Sequence, residues 1–288
     1  MKRRVVITGL GLVTPIGLGR QAFWEATGRG DSGVGPVTRF DAHRLPTQIA
    51  AEVKGFEPTD FLDRKTARRS DRFTQLGVAA SRLAVADSGL NLEAEDRDRI
   101  GVWVGTGIGG IETYDQQHNV LLERGPDRIN PFFIPMLICN MAGSQIAIEF
   151  GLKASNSCIV SACATATNAI GESLRILQRG EADVMLAGGT EASITELAFA
   201  GFCAIKAMST RNQEPTKASR PFDRDRDGFV MGEGSGVLIL ETLEHAQKRN
   251  AHIYAELVGY ATNCDAFHVV QPDPEGRGAA RAMSDAVK

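Results

Sequence analysis

The residue with the most chemistry to offer is Cys163, in the run Ser161-Ala162-Cys163-Ala164-Thr165-Ala166-Thr167-Asn168-Ala169-Ile170-Gly171. A short β-prone stretch over 157–160 precedes it, and a helical pattern follows to about residue 180. A thiol at such a corner meets unpaired backbone N–H groups and the positive end of a helix dipole, which together stabilise a thiolate. That suits a nucleophile that takes up an acyl group. The small neighbours Ala162, Ala164 and Ala166 leave room for a substrate to approach the sulfur. A cysteine can equally be a small buried apolar residue, and position alone does not separate the two readings.

Three further motifs compete for a role. Gly105-Thr106-Gly107-Ile108-Gly109-Gly110 satisfies G-x-G-x-x-G after a strand pattern. A dinucleotide site also needs an acidic residue ~20 positions on at a second strand's end, and Asp127 falls in a loop-like stretch beside Gly125 and Pro126. The glycines are therefore expected to let a loop pass close to a substrate tunnel. Asp223-Arg224-Asp225-Arg226-Asp227-Gly228 begins like a calcium loop, but the position that needs a bidentate Glu is Gly234, with Glu233 one short. An internal ion-pair network with Arg220, Arg224 and Arg226, bracing a turn, is expected instead. Finally, Arg64-Lys65, Arg68-Arg69 and Arg72 are spaced so that 65, 68, 69 and 72 share one helical face. Such a face is either solvated or a dock for an anionic partner.

Histidines, the usual partners of a thiol nucleophile, are His43, His118, His245, His252 and His268. His245 and His252 sit in a charged helical region and are expected to be solvated. His43 and His118 have no polar motif around them. Only His268, in Asp265-Ala266-Phe267-His268, is placed like a site residue, so Cys163 looks short of partners.

The elements that must position these residues follow from hydrophobic periodicity. Strands are predicted at 4–8, 100–105, 157–160, 183–188, 236–241 and 255–260, and helices at 20–28, 70–88, 142–150, 164–179, 194–201 and 244–250. This alternation is that of a layered α/β domain. The 183–188 strand has no polar alternation and should be buried on both faces. With 288 residues, 43% hydrophobic and 23% charged, the chain can bury a large core. A net charge of −3 argues against a nucleic-acid binder. The five cysteines, Cys139, Cys158, Cys163, Cys203 and Cys264, form no CxxC pair, so neither a zinc site nor a disulfide framework is indicated, and a reducing cytoplasm is expected. Met1-Lys2-Arg3-Arg4 mimics the start of an export signal, but Gly9, Gly11, Pro15 and Gly17 interrupt the apolar helix it needs. No apolar run reaches the ~18–20 residues of a membrane span. From Gly276, residues 279, 280, 283 and 287 fall at helical spacing and the sequence ends without a stop signal, as expected of a truncated chain.

Taken together, these segments resemble the β-ketoacyl-[acyl-carrier-protein] synthases, most closely the type II elongating members of bacterial fatty acid synthesis. The match runs over the whole chain: Val5-Val6-Ile7-Thr8-Gly9-Leu10-Gly11, Gly105 to Gly110, Pro131-Phe132-Phe133-Ile134-Pro135 with Asn140-Met141, the cysteine run, Asp183 to Glu191, Ser209-Thr210-Arg211-Asn212, Arg220-Pro221-Phe222-Asp223 to Gly236, and Tyr254 to Gly259. The resemblance implies a thiolase-like layered α-β-α-β-α fold, with residues 1–250 as the first half and 251–288 as the start of the second. It implies that Cys163 accepts the acyl chain as a thioester, using its own backbone N–H in the oxyanion hole. Decarboxylative condensation with malonyl-carrier then follows. It places Ile108, Phe133 and Phe202 at the acyl pocket, and Lys65, Arg68, Arg69, Arg128 and Lys206 at the dock for an acidic acyl carrier protein. No metal and no bound cofactor are implied, since substrates arrive on the carrier's phosphopantetheine arm; a homodimer is. A polyketide ketosynthase shares these motifs, and a catalytically silent partner subunit keeps the fold, although such partners generally lack the nucleophile. The chain departs from the family pattern in three places. The H-G-T and K-x-x-x-G-H motifs that carry the catalytic histidines and a lysine do not occur in these residues, Ala154-Ser155 replaces a usual Gly-Pro, and Val269-Val270 stands where polar residues are common.

Overall fold

The computed structural model describes residues 2–288. Its strands are β1 Val5–Thr14, β2 Gly17–Leu18, β3 Gly35–Pro36, β4 Ile49–Ala50, β5 Ile100–Gly105, β6 Asn156–Ser157, β7 Val184–Glu191, β8 Gly234–Thr242 and β9 Ala255–Glu256. Its α-helices are α1 Arg20–Arg29, α2 Arg64–Arg68, α3 Arg72–Ser88, α4 Ile111–Arg124, α5 Phe133–Leu137, α6 Met141–Phe150, α7 Thr165–Arg179, α8 Glu196–Ala204, α9 Leu243–Lys248 and α10 Arg277–Ala286. Among the described residues no helix is long and apolar enough to cross a membrane.

One sheet runs β2-β1-β8-β7-β5-β6, with β9 also paired to β1. β5 is parallel to β6 and β7, while β8 is antiparallel to β7 and β1. The sheet is covered on both faces, and β7 shows why its sequence lacks polar alternation. Val184 and Leu186 point into a cluster with Leu76 and Ala80 of α3 and Ile146 of α6, whereas Met185 and Ala187 meet Leu174 and Leu177 of α7. The layers are thus helix, sheet, helix, the architecture expected for a thiolase-like half. A third cluster, Ala50, Ile194, Phe199, Met208 and Met231, packs under the loops beside α8.

Several elements differ from the sequence reading. The 157–160 strand shrinks to Asn156–Ser157 because the chain leaves the sheet to turn into α7. The 255–260 strand keeps only Ala255–Glu256, since Tyr260 instead packs onto α7. α4 falls where no element is predicted, and Thr113 is its one buried residue. The basic run does not form one helical face. Asp71 caps α3, accepting from Phe73 N at 3.2 Å, and this ends α2 and starts a new helix between Arg69 and Arg72.

Candidate active site

The C-terminal ends of β5 and β7 and the start of α7 converge on Cys163. The chain leaves β6, makes a 3-10 turn over Ala162–Ala164 and enters α7 at Thr165. Glycines at the two strand ends let the helix start come this close. A Cβ on Gly189 would sit 2.7 Å from Ala166 Cβ, and one on Gly105 would overlap Thr165 Cγ2. Inside the turn Ser161 N donates to Thr165 Oγ1 at 2.9 Å, and Ala164 N donates to Ser161 O at 3.1 Å. Ala162 is held at φ 50°, a left-handed conformation that costs a residue with a Cβ of order 1 kcal/mol. Cys163 is exposed, and its backbone N–H donates to no acceptor among the described residues. The sulfur and a free N–H therefore sit on the same turn at a helix N-terminus, the arrangement a thiolate and a carbonyl oxygen gaining negative charge both require.

The other cysteines are less suited to this task. Burial, reinforced by the charge of Glu191, pushes the Cys139 thiol up, and burial does the same to Cys158. Cys203 is half-buried, and Cys264 is exposed but lies outside any helix start.

Glu191, at the end of β7, is the site residue that the sequence reading missed. Its carboxylate accepts from Gly107 N at 2.7 Å, Thr106 Oγ1 at 2.8 Å and Ser193 Oγ at 3.2 Å. It thereby ties the 106–110 loop to the sheet. That loop runs against the nucleophile turn, since a Cβ on Gly107 would lie 3.6 Å from Ala162 O. The available signal was an acidic residue closing an otherwise apolar buried strand. Asp127 falls in a 3-10 turn over Pro126–Arg128 and not at a strand end, so the second part of the dinucleotide fingerprint is missing.

The predicted pocket residues lie on three different elements. Ile108, partly exposed, rides on the loop beside the turn. Phe133 begins α5, and Phe202 on α8 packs into the third core cluster with its ring edge-on to Phe229, centroids 5.5 Å apart. The predicted docking cations Lys65, Arg68, Arg69, Arg128 and Lys206 are all exposed, and none is ion-paired among the described residues. Lys65, Arg68 and Arg69 cluster on and just after α2, with the Arg69 guanidinium 4.1 Å above the Phe132 ring. Arg128 ends its 3-10 turn, and Lys206 follows α8. Arg72 belongs elsewhere: it grips buried Glu233 through two 2.7 Å bonds, and although burial opposes its charge this pairing raises its pKa.

The Asp223–Asp227 turn is braced by ion pairs as expected, Arg220 with Asp223 at 2.8 Å and Arg224 with Asp225 at 3.5 Å, and Arg226 donates to Asp223 O at 2.8 Å; the network lies at the surface, with Arg224, Asp225 and Arg226 exposed. Another expectation is corrected. His245 is not solvated: Nδ1 lies 2.6 Å from Glu241 Oε2 and Nε2 lies 2.9 Å from Glu95 Oε2. His268 spends Nδ1 on the backbone N–H groups of Val270 and Gln271 within its own exposed loop.

Residues 2–246 match the family described as beta-ketoacyl synthase, N-terminal domain. The 3-oxoacyl-[acyl-carrier-protein] synthase 2 of Synechocystis sp. is 53% identical over 287 residues, which is all of this chain and 69% of that protein. Its namesake in Staphylococcus aureus (strain COL) is 51% identical over 285 residues, 99% of this chain and 69% of the relative. Among solved structures, a type II polyketide synthase acyl-carrier protein in complex with its ketosynthase aligns with a TM-score of 0.88 at 32% identity, over all of this chain and 70% of that one.

Proposed function

The chain belongs to the β-ketoacyl synthase family, and from that premise we propose that it carries the acyl-accepting part of a 3-oxoacyl-[acyl-carrier-protein] synthase of fatty acid elongation. The Cys163 thiolate attacks the thioester carbonyl of an acyl-carrier, the carrier thiol leaves, and the acyl group stays on sulfur. The Cys163 N–H receives the charge that builds on the carbonyl oxygen. Malonyl-carrier then loses carbon dioxide. The resulting enolate carbon attacks the Cys163 thioester, which frees the thiolate and gives 3-oxoacyl-carrier. The observation that carries this reading is the exposed sulfur beside its own free N–H, on a strained turn at a helix start.

The rest of the reading follows the same line. Lys65, Arg68 and Arg69, with Arg128 and Lys206, form the dock for an acidic acyl carrier protein, and substrates arrive on its phosphopantetheine arm with no bound cofactor. Ile108, Phe133 and Phe202 line the acyl pocket. Residues 1–250 form the nucleophile half and 251–288 open the second; the protein works in the cytoplasm as a homodimer. Decarboxylation needs histidine donors for its enolate, and the family's two histidine motifs do not occur in these 288 residues. The 288 residues alone are therefore expected to stop at the acyl-enzyme. A polyketide ketosynthase is the second reading, on the fold match to a polyketide ketosynthase at 32% identity. The 53% identity to a 3-oxoacyl-[acyl-carrier-protein] synthase 2 favours the first.

Mass spectrometry of the chain after incubation with acyl-carrier tests the assignment. One acyl group on the Cys163 peptide is expected; label on Cys158 or Cys203, or none, overturns it. Adding malonyl-carrier is expected to give no 3-oxoacyl product, and its detection would refute the requirement for histidines outside these residues.

A further inference from the structure

We propose that Tyr260 and Asn168 are positioning residues for the nucleophile, acting through Ser161 on the turn that carries Cys163; the proposal rests on Cys163 being the acyl acceptor. Tyr260 Oη donates to Asn168 Oδ1 at 3.1 Å, and Asn168 Nδ2 donates to Ser161 Oγ at 2.7 Å. The segment just beyond β9 thus reaches the nucleophile turn through two hydrogen bonds, although Tyr260 and Asn168 are 92 residues apart in sequence.

Each link is fixed at its far end. The Tyr260 ring lies on α7 at Gly171, where any Cβ would overlap it, and the Arg175 guanidinium covers the ring at 4.8 Å. Burial pushes the Tyr260 phenol up, so it stays protonated and remains a donor. That sets the polarity of the chain: Tyr260 occupies the Asn168 oxygen and leaves the Asn168 amide N–H for Ser161. Ser161 is then held at three points, by Asn168 at Oγ, by Thr165 Oγ1 at N and by Ala164 N at O. Its neighbour Ala162 has the left-handed φ of 50°. A residue with a Cβ stays in that conformation only where its surroundings over-determine it. Without the hold on Ser161 the turn is free to relax, carrying the Cys163 sulfur and N–H out of their shared alignment.

Acyl transfer uses the sulfur and the N–H together, whereas alkylation by a small reagent uses the sulfur alone. The ratio of the two rates therefore reports positioning, and general loosening of the fold does not change it selectively. The test is the 288-residue chain as wild type, Tyr260→Phe, Asn168→Ala and the double variant. Rates on the Cys163 peptide are read by mass spectrometry with octanoyl-N-acetylcysteamine and with iodoacetamide, and denaturation midpoints are measured alongside. Tyr260→Phe removes only the hydroxyl and keeps the ring on Gly171, so it carries the test if Asn168→Ala does not fold. Expected is a loss of acyl transfer of about three- to tenfold in each single variant, the worth of one hydrogen bond. Alkylation should change by less than about twofold, and the double variant should be no slower than the worse single one, as for two links of one chain. Acyl transfer matching wild type, both rates falling together, or losses that multiply would each overturn the positioning role alone. A wild-type chain that alkylates but takes no acyl group at Cys163 overturns the nucleophile reading, and the proposal with it.

Discussion

The buried carboxylate of Glu241 gives the most quantitative prediction for the scaffold. It lies fully buried on β8, where Arg249 Nε donates to Oε2 at 2.9 Å, His245 Nδ1 lies 2.6 Å from the same oxygen, and Thr8 Oγ1 donates to Oε1. Burial by itself pushes the carboxyl up, but the bonds from Arg249, His245 and Thr8 outweigh it and hold Glu241 at about 2 instead of 4.5. That difference corresponds to roughly 3 kcal/mol. Because the folded value is the lower one, this stability is complete above about pH 5 and is lost as pH falls towards 2. His245 runs the other way. Its hydrogen bond to Glu241, helped by Glu95, raises its pKa against the effect of burial. Its contribution is therefore present below about pH 6.5 and fades as pH rises through the raised value. The two carboxylates and the Arg249 guanidinium are the charged groups that face it, and together they predict a stability maximum between about pH 5 and 6.5. Glu241→Gln leaves Arg249 without its buried partner, and is expected to lower the thermal midpoint by roughly 6–12 °C near pH 6, at about 2–4 °C per kcal/mol. Thermal melts of wild type and variant from pH 2 to 8 provide the check. The gap between them should close as pH falls from about 5 to 2. A gap that is constant with pH, or below about 1 °C throughout, would show that Glu241 is not held by this network.

Reversing Lys65 and Arg68 to Glu should weaken binding to an acidic carrier protein by about tenfold at low salt, with the loss shrinking at high salt. Arg72→Gln should leave that affinity within about twofold while costing roughly 3–5 kcal/mol of stability, because it strands buried Glu233. Surface plasmon resonance against salt and chemical denaturation separate the two effects, and equal binding losses for both sets would return Arg72 to the dock. Ile108→Phe should cut acylation of Cys163 by long acyl chains by about tenfold while sparing short ones. A uniform loss across chain lengths would remove Ile108 from the pocket.

The sequence reading was strongest where a local pattern had a local cause. The helical run to residue 179 placed Cys163 just ahead of a helix start, and the missing alternation of 183–188 announced a strand covered on both faces. It was weaker where the cause lay across the fold. His245 was read as solvated because its helical region is charged, yet its four-residue spacing from both Glu241 and Arg249 is what lets all three meet at the end of β8. The basic run was read as one face because Asp71 was not taken as a cap, although an acidic residue ahead of an apolar helix is a start signal. Nothing local pairs Tyr260 with Asn168, since that bond depends on a segment brought back by the pairing of β9 with β1. The cap at Asp71 also changes how the cations can work. By splitting the run it commits Arg72 to Glu233 and leaves Lys65, Arg68 and Arg69 free on the far side of the break. A continuous helix would have put all of them on one surface. The cut separates a cation that holds the fold from cations that a partner can reach, so the two roles are open to independent mutation.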